Sequence, residues 1–66
     1  MRITVNGTER EVAADASILD VIESLGLNPK TVVTQRNEEI VERGAYADIK
    51  LCDGDALELV RMVGGG

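Results

Sequence analysis

The fold is decided by residues 17–29, which read SILDVIESLGLNP. Apolar side chains recur there at helical spacing and predict a helix of about two and a half turns with one buried face. Those side chains are Ile18, Val21, Ile22 and Leu25. Ser17 can cap the free N–H groups at the start of this helix, and Asp20 completes a capping-box pattern three residues later. Gly26 suits the left-handed position that follows a helix, and Pro29 prevents any continuation.

The segment before this helix predicts a β-hairpin. Residues 2–6 alternate between polar and apolar side chains, which is typical of a strand buried on one face. The pair Asn6-Gly7 favours a type I′ turn, because both central residues of such a turn need positive φ. Residues 8–12 then return as a more solvent-exposed strand.

The segment after the helix predicts three further strands. These strands are residues 31–35, residues 40–41, which form a very short strand, and residues 56–63. A polar turn at 36–39 separates the first two. A stretch at 43–48 that is irregular or one helical turn, and a sharp turn at 53–55, precede the last strand. The last strand is the longest, and its alternation puts Leu57, Leu59 and Val63 on one face.

Two strands, a helix and three more strands is the order of elements in a β-grasp, or ubiquitin-like, roll. We therefore predict an α+β fold in which one main helix packs on one face of a mixed sheet of four or five strands. We assign residues 1–63 to this domain and residues 64–66 to a flexible Gly-Gly-Gly tail. The other face of the sheet would remain open to solvent or to a partner.

Length and composition exclude most kinds of enzyme. The chain has 66 residues, with no histidine, tryptophan or phenylalanine, one tyrosine and one cysteine. These counts exclude histidine-based acid–base catalysis, Ser-His and Cys-His nucleophilic pairs, and a zinc site built from histidine and several cysteines. A single thiol cannot form an internal disulfide, which favours a reducing cytoplasm.

Charge and hydropathy argue against two classes of partner. Twelve acidic and seven basic residues give a net charge of −5, which has the wrong sign for binding nucleic-acid phosphates. Apolar runs stay well short of the roughly 20 residues that span a membrane, and the first residues begin a strand pattern rather than a signal peptide. We therefore expect neither a nucleic acid nor a membrane as partner.

The unusual chemical feature is the run Gly64-Gly65-Gly66 directly after a predicted strand. A segment without side chains can enter a channel that any Cβ would block. A terminal carboxylate is ionised at neutral pH and inert toward nucleophiles. If a partner adenylated it, Gly66 would become an acyl donor that could accept sulfur or be joined to an amine. The alternative is a glycine-rich end without function, since termini fray and tolerate change.

The last fourteen residues, DGDALELVRMVGGG, resemble the C-terminus of the ThiS family of sulfur carriers, which ends in a DGD turn, an apolar strand and Gly-Gly. The resemblance extends to Ile3-Thr4-Val5-Asn6-Gly7, to Leu25-Gly26-Leu27 at the end of the helix, and to Asn37 before Ile40-Val41. Terminal Gly-Gly is shared with MoaD, the molybdopterin sulfur carrier, and with ubiquitin-like proteins. Chain length and the DGD spacing favour ThiS.

This resemblance implies a carrier rather than an enzyme. A ThiF-type adenylyltransferase would use ATP and Mg²⁺ to activate Gly66, and a cysteine desulfurase relay would then convert it to a thiocarboxylate. Thiazole synthase would take that sulfur for the thiazole of thiamine. Gly64 and Gly65 would occupy the channel of the partner. The alternatives are a MoaD-like or tRNA-thiolation carrier, a ubiquitin-like modifier joined to lysines, and a binding module without covalent chemistry.

Three further side chains are candidates for a partner-binding surface. Val60 and Met62 lie opposite Leu57 and Leu59 on the last strand, so they stay exposed if the helix covers one face only. Tyr46 could anchor an interface, although filling the edge of the core is an equal alternative.

The remaining reactive or charged residues have simpler interpretations. We expect Cys52 to be a small, half-buried residue with Lys50 as its basic neighbour, rather than a redox or sulfur-relay thiol. Asp53 and Asp55 supply too few ligands for a metal and are interpreted as turn residues. The pair Glu38-Glu39 is expected to be solvated, with docking to a basic partner as the alternative.

Overall fold

A computed structural model describes residues 1–62 and shows one helix on one face of a five-stranded mixed sheet. The elements are β1 (Arg2–Val5), β2 (Thr8–Glu11), α1 (Ile18–Ser24), β3 (Val32–Arg36), β4 (Glu39–Val41) and β5 (Ala56–Arg61). The strand order is β2-β1-β5-β3-β4, in which β1 and β5 are parallel and the other neighbours are antiparallel. This is the predicted β-grasp arrangement, and β5 is its central strand.

The first hairpin follows the alternation of its sequence. Asn6 and Gly7 form its turn with φ of 51° and 83°, as the Asn-Gly pair predicts. Ile3 and Val5 are buried, whereas the four residues of β2 are exposed.

Helix α1 begins and ends through the contacts that its sequence predicts. The Ser17 hydroxyl accepts from the N–H of Asp20, and the Asp20 carboxylate accepts from the N–H of Ser17, so the capping box is complete. Gly26 has φ of 73°, and Leu27 N–H donates to Ile22 O at 3.1 Å, the long bond of a Schellman motif. Because Leu25 already serves as the C-cap, the helix has seven residues and is shorter than predicted.

Strand β3 begins one residue later than the pattern of β-branched residues predicts. Pro29–Thr31 forms a short 3₁₀ helix, and the side chain of Asn28 accepts from Lys30 N–H at its start. Pro29 supplies a fixed φ that suits this first turn. The chain therefore enters the sheet at Val32.

The second hairpin has a two-residue turn at Asn37-Glu38, with φ of 50° and 72°. The predicted polar turn at 36–39 is therefore tighter than expected, because Arg36 and Glu39 pair with each other as the last residues of the ladder. A second 3₁₀ turn, Arg43–Ala45, corresponds to the helical turn predicted within residues 43–48.

The core lies between α1 and the inner face of the sheet. Its buried apolar residues are Ile3, Val5, Ile18, Val21, Ile22, Val32, Tyr46, Leu51, Leu57 and Leu59. Thr34 is also fully buried on β3, and its hydroxyl has no hydrogen-bond partner among the described residues. Within residues 1–62, no helix is long and apolar enough to cross a membrane.

Candidate functional site

Strand β5 carries the chain toward the predicted reactive end. Its last described hydrogen bond on the β3 side runs from Met62 N–H to Thr31 O at 2.8 Å. Residues 63–66 lie outside the described residues, and with them Val63 and the predicted tail Gly64, Gly65 and Gly66. The strand ends at Arg61, two residues before the predicted end at residue 63. The described part of the site is therefore the anchor of β5 and the surface around its final residues.

The turn that begins β5 is built on the carboxylate of Asp55. Asp55 is 6% exposed, and its carboxylate accepts from Cys52 N–H at 2.8 Å, Arg36 Nε at 2.9 Å and Asn37 Nδ2 at 3.1 Å. Burial alone would raise the pKa of Asp55, but the hydrogen bonds from Cys52, Asn37 and Arg36 outweigh it and hold the pKa below its ordinary value. Asp55 is therefore ionised at neutral pH and serves as a structural acceptor.

The other residues of the turn join it to β1. Asp53 Oδ1 accepts from Arg2 N–H at 2.8 Å, and Gly54 N–H donates to Arg2 O at 2.8 Å. Gly54 has φ of 88°, a conformation that glycine adopts without strain. Within residues 1–62, no group of three or more Asp, Glu, Cys or His side chains could hold a metal ion. The bonds of Asp53 and Gly54 to Arg2, with the positive φ of Gly54, make the DGD motif a turn, as the sequence indicates.

Asn37 connects the second hairpin to the start of β5 through hydrogen bonds. Its Oδ1 accepts from Ala56 N–H at 2.9 Å, and its own N–H donates to Ala56 O at 2.8 Å. Together with the Arg36–Asp55 ion pair at 2.9 Å, these bonds fix the start of β5 against the end of β3. Sequence reasoning missed this network, because a buried carboxylate and an arginine 19 residues away share no local pattern.

Three apolar side chains stand exposed on the outer face of the sheet. Val60 is 59% exposed and Met62 51% exposed, in agreement with the alternation of β5. Ile40 on β4 is 72% exposed and lies on the same face, because Gln35 of β3 pairs with both Ile40 and Glu58. We call Val60, Met62 and Ile40 the outer apolar patch. Ile40 was missed as a site residue, although its place in a two-residue apolar pair within a polar segment was a signal.

Tyr46 does not belong to that surface, which corrects its assignment as a candidate interface residue. It is 3% exposed, and its hydroxyl donates to Val32 O at 2.8 Å. The second 3₁₀ turn directs the ring into the core, where the hydroxyl satisfies a backbone carbonyl. Of the two predicted roles, Tyr46 therefore has the second, in which its ring packs in the core.

Cys52 differs from expectation in two respects. It is exposed rather than half-buried, and its basic neighbour is Arg36, whose Nη2 lies 3.6 Å from Sγ. The Asp55 contacts bring Arg36 to this position. Glu38 and Glu39 are exposed, in agreement with a solvated turn.

Comparisons with known proteins agree with this geometry. The ThiS family matches residues 3–66. Sulfur carrier protein ThiS of Bacillus subtilis is 37% identical over 65 residues, which cover 97% of this chain and 98% of that protein. The crystal structure of the thiamine biosynthesis protein ThiS from Geobacter metallireducens is similar with a TM-score of 0.84 and 32% identity, covering 100% of both chains.

A larger protein also contains a similar segment. A thiazole synthase of Paramagnetospirillum magneticum is 38% identical over 66 residues, which cover 100% of this chain but only 20% of that enzyme. The chain therefore spans about a fifth of the length of that relative.

Proposed function

The chain belongs to the ThiS family, and we propose on that basis that it is a sulfur carrier of thiamine biosynthesis whose reactive group is the carboxylate of Gly66. The observation that carries this proposal is the match along 98% of a sulfur carrier of similar size, together with a family match that extends through the glycine run to residue 66. The relatives matched over their full length are carriers and thiamine biosynthesis proteins, which supports a protein acted upon by enzymes.

The proposed cycle begins with activation of the carboxylate. In the active site of a ThiF-type adenylyltransferase, with Mg²⁺, a carboxylate oxygen of Gly66 attacks the α-phosphorus of ATP. Pyrophosphate leaves and an acyl adenylate remains. This mixed anhydride is electrophilic, whereas the free carboxylate is not.

Sulfur then replaces the adenylate. A persulfide sulfur delivered by a cysteine desulfurase relay attacks the acyl carbon, and AMP leaves. Reductive cleavage of the resulting S–S bond by a thiol gives the thiocarboxylate and a disulfide of the donor. Thiazole synthase is the proposed acceptor enzyme, supported by the thiazole synthase that contains a segment similar to this chain. We propose the cytoplasm as the place of this cycle, because reducing conditions preserve thiols there.

The domain contributes recognition in this proposal. Two residues of the outer apolar patch, Val60 and Met62, lie at the end of β5, so a partner that covers them would also reach the residues that follow. Anchoring at Asp55 fixes the start of β5, the strand that carries Val60.

Deletion of Gly66 tests the covalent chemistry. We expect the deletion variant to fold normally and to lose ATP-dependent adenylation by the cognate enzyme, measured as ATP–pyrophosphate exchange. Full activation of the deletion variant would contradict the proposal. A matched control, Lys30→Ala, changes an exposed residue of the first 3₁₀ helix and should be activated like the wild type.

Intact-mass measurement separates the alternatives. After incubation with the adenylating enzyme, ATP and a sulfur source, a mass increase equal to sulfur replacing oxygen supports a carrier. Conjugates on lysines of other proteins support a ubiquitin-like modifier instead. Transfer of the sulfur to thiazole, molybdopterin precursor or tRNA then identifies the pathway.

A further inference from the structure

A groove separates the end of β2 from the side of α1. The segment between these two elements turns through a hydrogen bond from Ala16 N–H to Ala13 O at 3.0 Å. The apolar lining of the groove comes from Val12, Ala13, Ala16 and Val21. Because the side chains of both alanines are short, they leave open a cavity of about 250 Å³. We call this cavity the helix-side groove.

Carboxylates surround this apolar lining. Glu11, Asp15 and Asp20 line the groove, and all three residues are exposed. Arg2 Nη2 lies 3.2 Å from Glu11 Oε1, so the charge of Glu11 is compensated within the chain. Asp15 and Asp20 form no ion pair among residues 1–62. Two of the three carboxylates are therefore left for a partner.

The hydrogen bonds of Asp20 favour its ionised form. Ser17 N–H donates to Asp20 Oδ2 at 2.9 Å, and no hydrogen bond among residues 1–62 uses Oδ1. The hydrogen bonds with Ser17, and to a smaller extent the positive charge of Lys50, hold the pKa of Asp20 below its ordinary value. Negative charge beside an apolar lining favours a partner group that is cationic and also has an apolar part.

We propose that the helix-side groove is a docking site for an arginine side chain of a protein partner. Arginine has an apolar stem and a planar charged head, which match the apolar lining and the carboxylates. Its guanidinium can bind two carboxylates at once, whereas the lysine ammonium is a compact point charge. The cavity is smaller than the range of about 300–1,000 Å³ that is typical of small-molecule sites, which suits a single side chain.

The helix-side groove is remote from the outer apolar patch. Glu11 pairs with Arg2 at the start of β1, and the start of β1 lies beside the start of β5. Val60 lies near the other end of β5 and on the opposite face of the sheet from α1. A partner in the groove therefore leaves the outer apolar patch uncovered, so the chain can hold two proteins at once. This goes beyond the proposed function, which uses only the outer face and Gly66.

Titration of the ¹⁵N-labelled chain with Nα-acetylarginine amide tests this site. We expect the amide signals of Ala13, Asp15 and Asp20 to shift and to saturate with a Kd on the order of millimolar, because the probe supplies one side chain only. Nα-acetylcitrulline amide has nearly the same shape without the charge and should bind at least about fivefold more weakly. Equal Kd values for the two probes would overturn the role of the carboxylates. Tighter binding of Nα-acetyllysine amide would overturn the choice of arginine.

Two variants separate the shape of the groove from its charge. Ala13→Leu fills the cavity from an exposed position, keeps every charge and should abolish saturable binding of the arginine probe. Asp15→Asn removes one charge and no hydrogen bond described in the domain, and it should weaken binding about threefold. The matched control, Glu23→Gln, removes the same charge from α1 outside the groove and should change the Kd less than about 1.5-fold.

Each result bears on a separate part of the inference. Binding of the arginine probe to Ala13→Leu as to the wild type would overturn the groove as the site. Equal weakening by Asp15→Asn and Glu23→Gln would indicate an effect of net charge alone and would also overturn it. Absence of saturable binding to the wild type overturns the inference and leaves the proposed function intact, because Gly66 takes no part in the groove. A chain that binds the probe but fails in ATP–pyrophosphate exchange overturns the proposed function alone.

Discussion

The turns of the two hairpins share a backbone geometry but differ in how they are held. Asn6-Gly7 and Asn37-Glu38 have positive φ at all four residues. In both, the asparagine side chain bonds β5, from opposite sides of that strand: Asn6 at Leu59 and Asn37 at Ala56. The second position is glycine in the first turn and glutamate in the second. A left-handed conformation costs a residue with a Cβ about 1 kcal/mol more than it costs glycine.

This difference shows that the first turn is specified locally and the second by tertiary contacts. Glu38 adopts a φ of 72° because the two residues before it, Arg36 and Asn37, are held by hydrogen bonds to the Asp55 carboxylate. Strain of this kind persists only when the surrounding structure over-determines it. The hydrogen bonds of the Asp55 carboxylate should therefore contribute more to the stability of the second hairpin than the sequence of its turn does.

The largest effect is expected for Asp55→Ala. This change leaves the Cys52 N–H, the Arg36 guanidinium and the Asn37 amide without their acceptor, so the free energy of unfolding should fall by about 3 kcal/mol. Urea unfolding at neutral pH measures it. Asp53→Ala is the matched control, because Asp53 accepts one exposed hydrogen bond and its loss should cost about 1 kcal/mol.

The pH dependence of the stability difference between wild type and Asp55→Ala tests whether the ionised carboxylate causes the stabilisation. Because the pKa of Asp55 lies below its ordinary value of 3.8, its ionised form stabilises the folded state above about that pH. This stabilisation is lost as pH falls through the lowered pKa of the folded state. The difference in stability between wild type and Asp55→Ala should therefore narrow below about pH 4. A constant difference down to pH 2 would contradict an ionic role.

A smaller loss of stability is expected when the asparagine of either turn is replaced by glycine. Glycine adopts positive φ without strain, so the substitution removes only the side-chain hydrogen bonds. Asn37→Gly removes bonds to Ala56 N–H and to the Asp55 carboxylate and should cost about 2 kcal/mol. Asn6→Gly removes two bonds to backbone groups of Leu59 and should cost about 1 kcal/mol. Thermal or urea unfolding of the two variants side by side makes the comparison, and a larger loss for Asn6→Gly would reverse our ranking.

The smallest effect is expected from exchanging the second turn residues. Glu38→Gly should raise the free energy of unfolding by about 1 kcal/mol, and Gly7→Glu should lower it by a similar amount. The double variant should then unfold close to the wild type. If Glu38→Gly destabilises the protein, Glu38 makes a contact that outweighs its backbone strain.

Much of the fold follows from local sequence. The Asn6-Gly7 turn, the capping box of Ser17 and Asp20, and the Schellman ending at Gly26 each depend on residues within five positions of one another. The predicted sheet and its helix are confirmed for that reason. Two of the boundaries that differ, at Thr31 and at Leu25, lie at helix ends where one residue can serve either neighbouring element.

Less of the candidate site follows from sequence. The exposure of Val60 and Met62 comes from strand alternation and is confirmed, whereas Tyr46 required the structure. An isolated tyrosine has a long apolar ring and a polar hydroxyl, so it suits an interface and a core edge equally. The Val32 carbonyl, 14 residues away, decides between them. Ile40 joins Val60 and Met62 only through the register of β3 with its two neighbours.

The sequence by itself determined the hairpin, the helix with both of its caps, the alternation of β5 and the glycine run, because each depends on near neighbours and on side-chain chemistry. The tertiary structure alone decided that Asp55 and Arg36 form an ion pair and that Ile40 shares the outer face of the sheet with Val60. Both arise where distant strands become neighbours in the sheet. The physical reason is that strand order and register bring together groups whose separation along the chain carries no periodic signal.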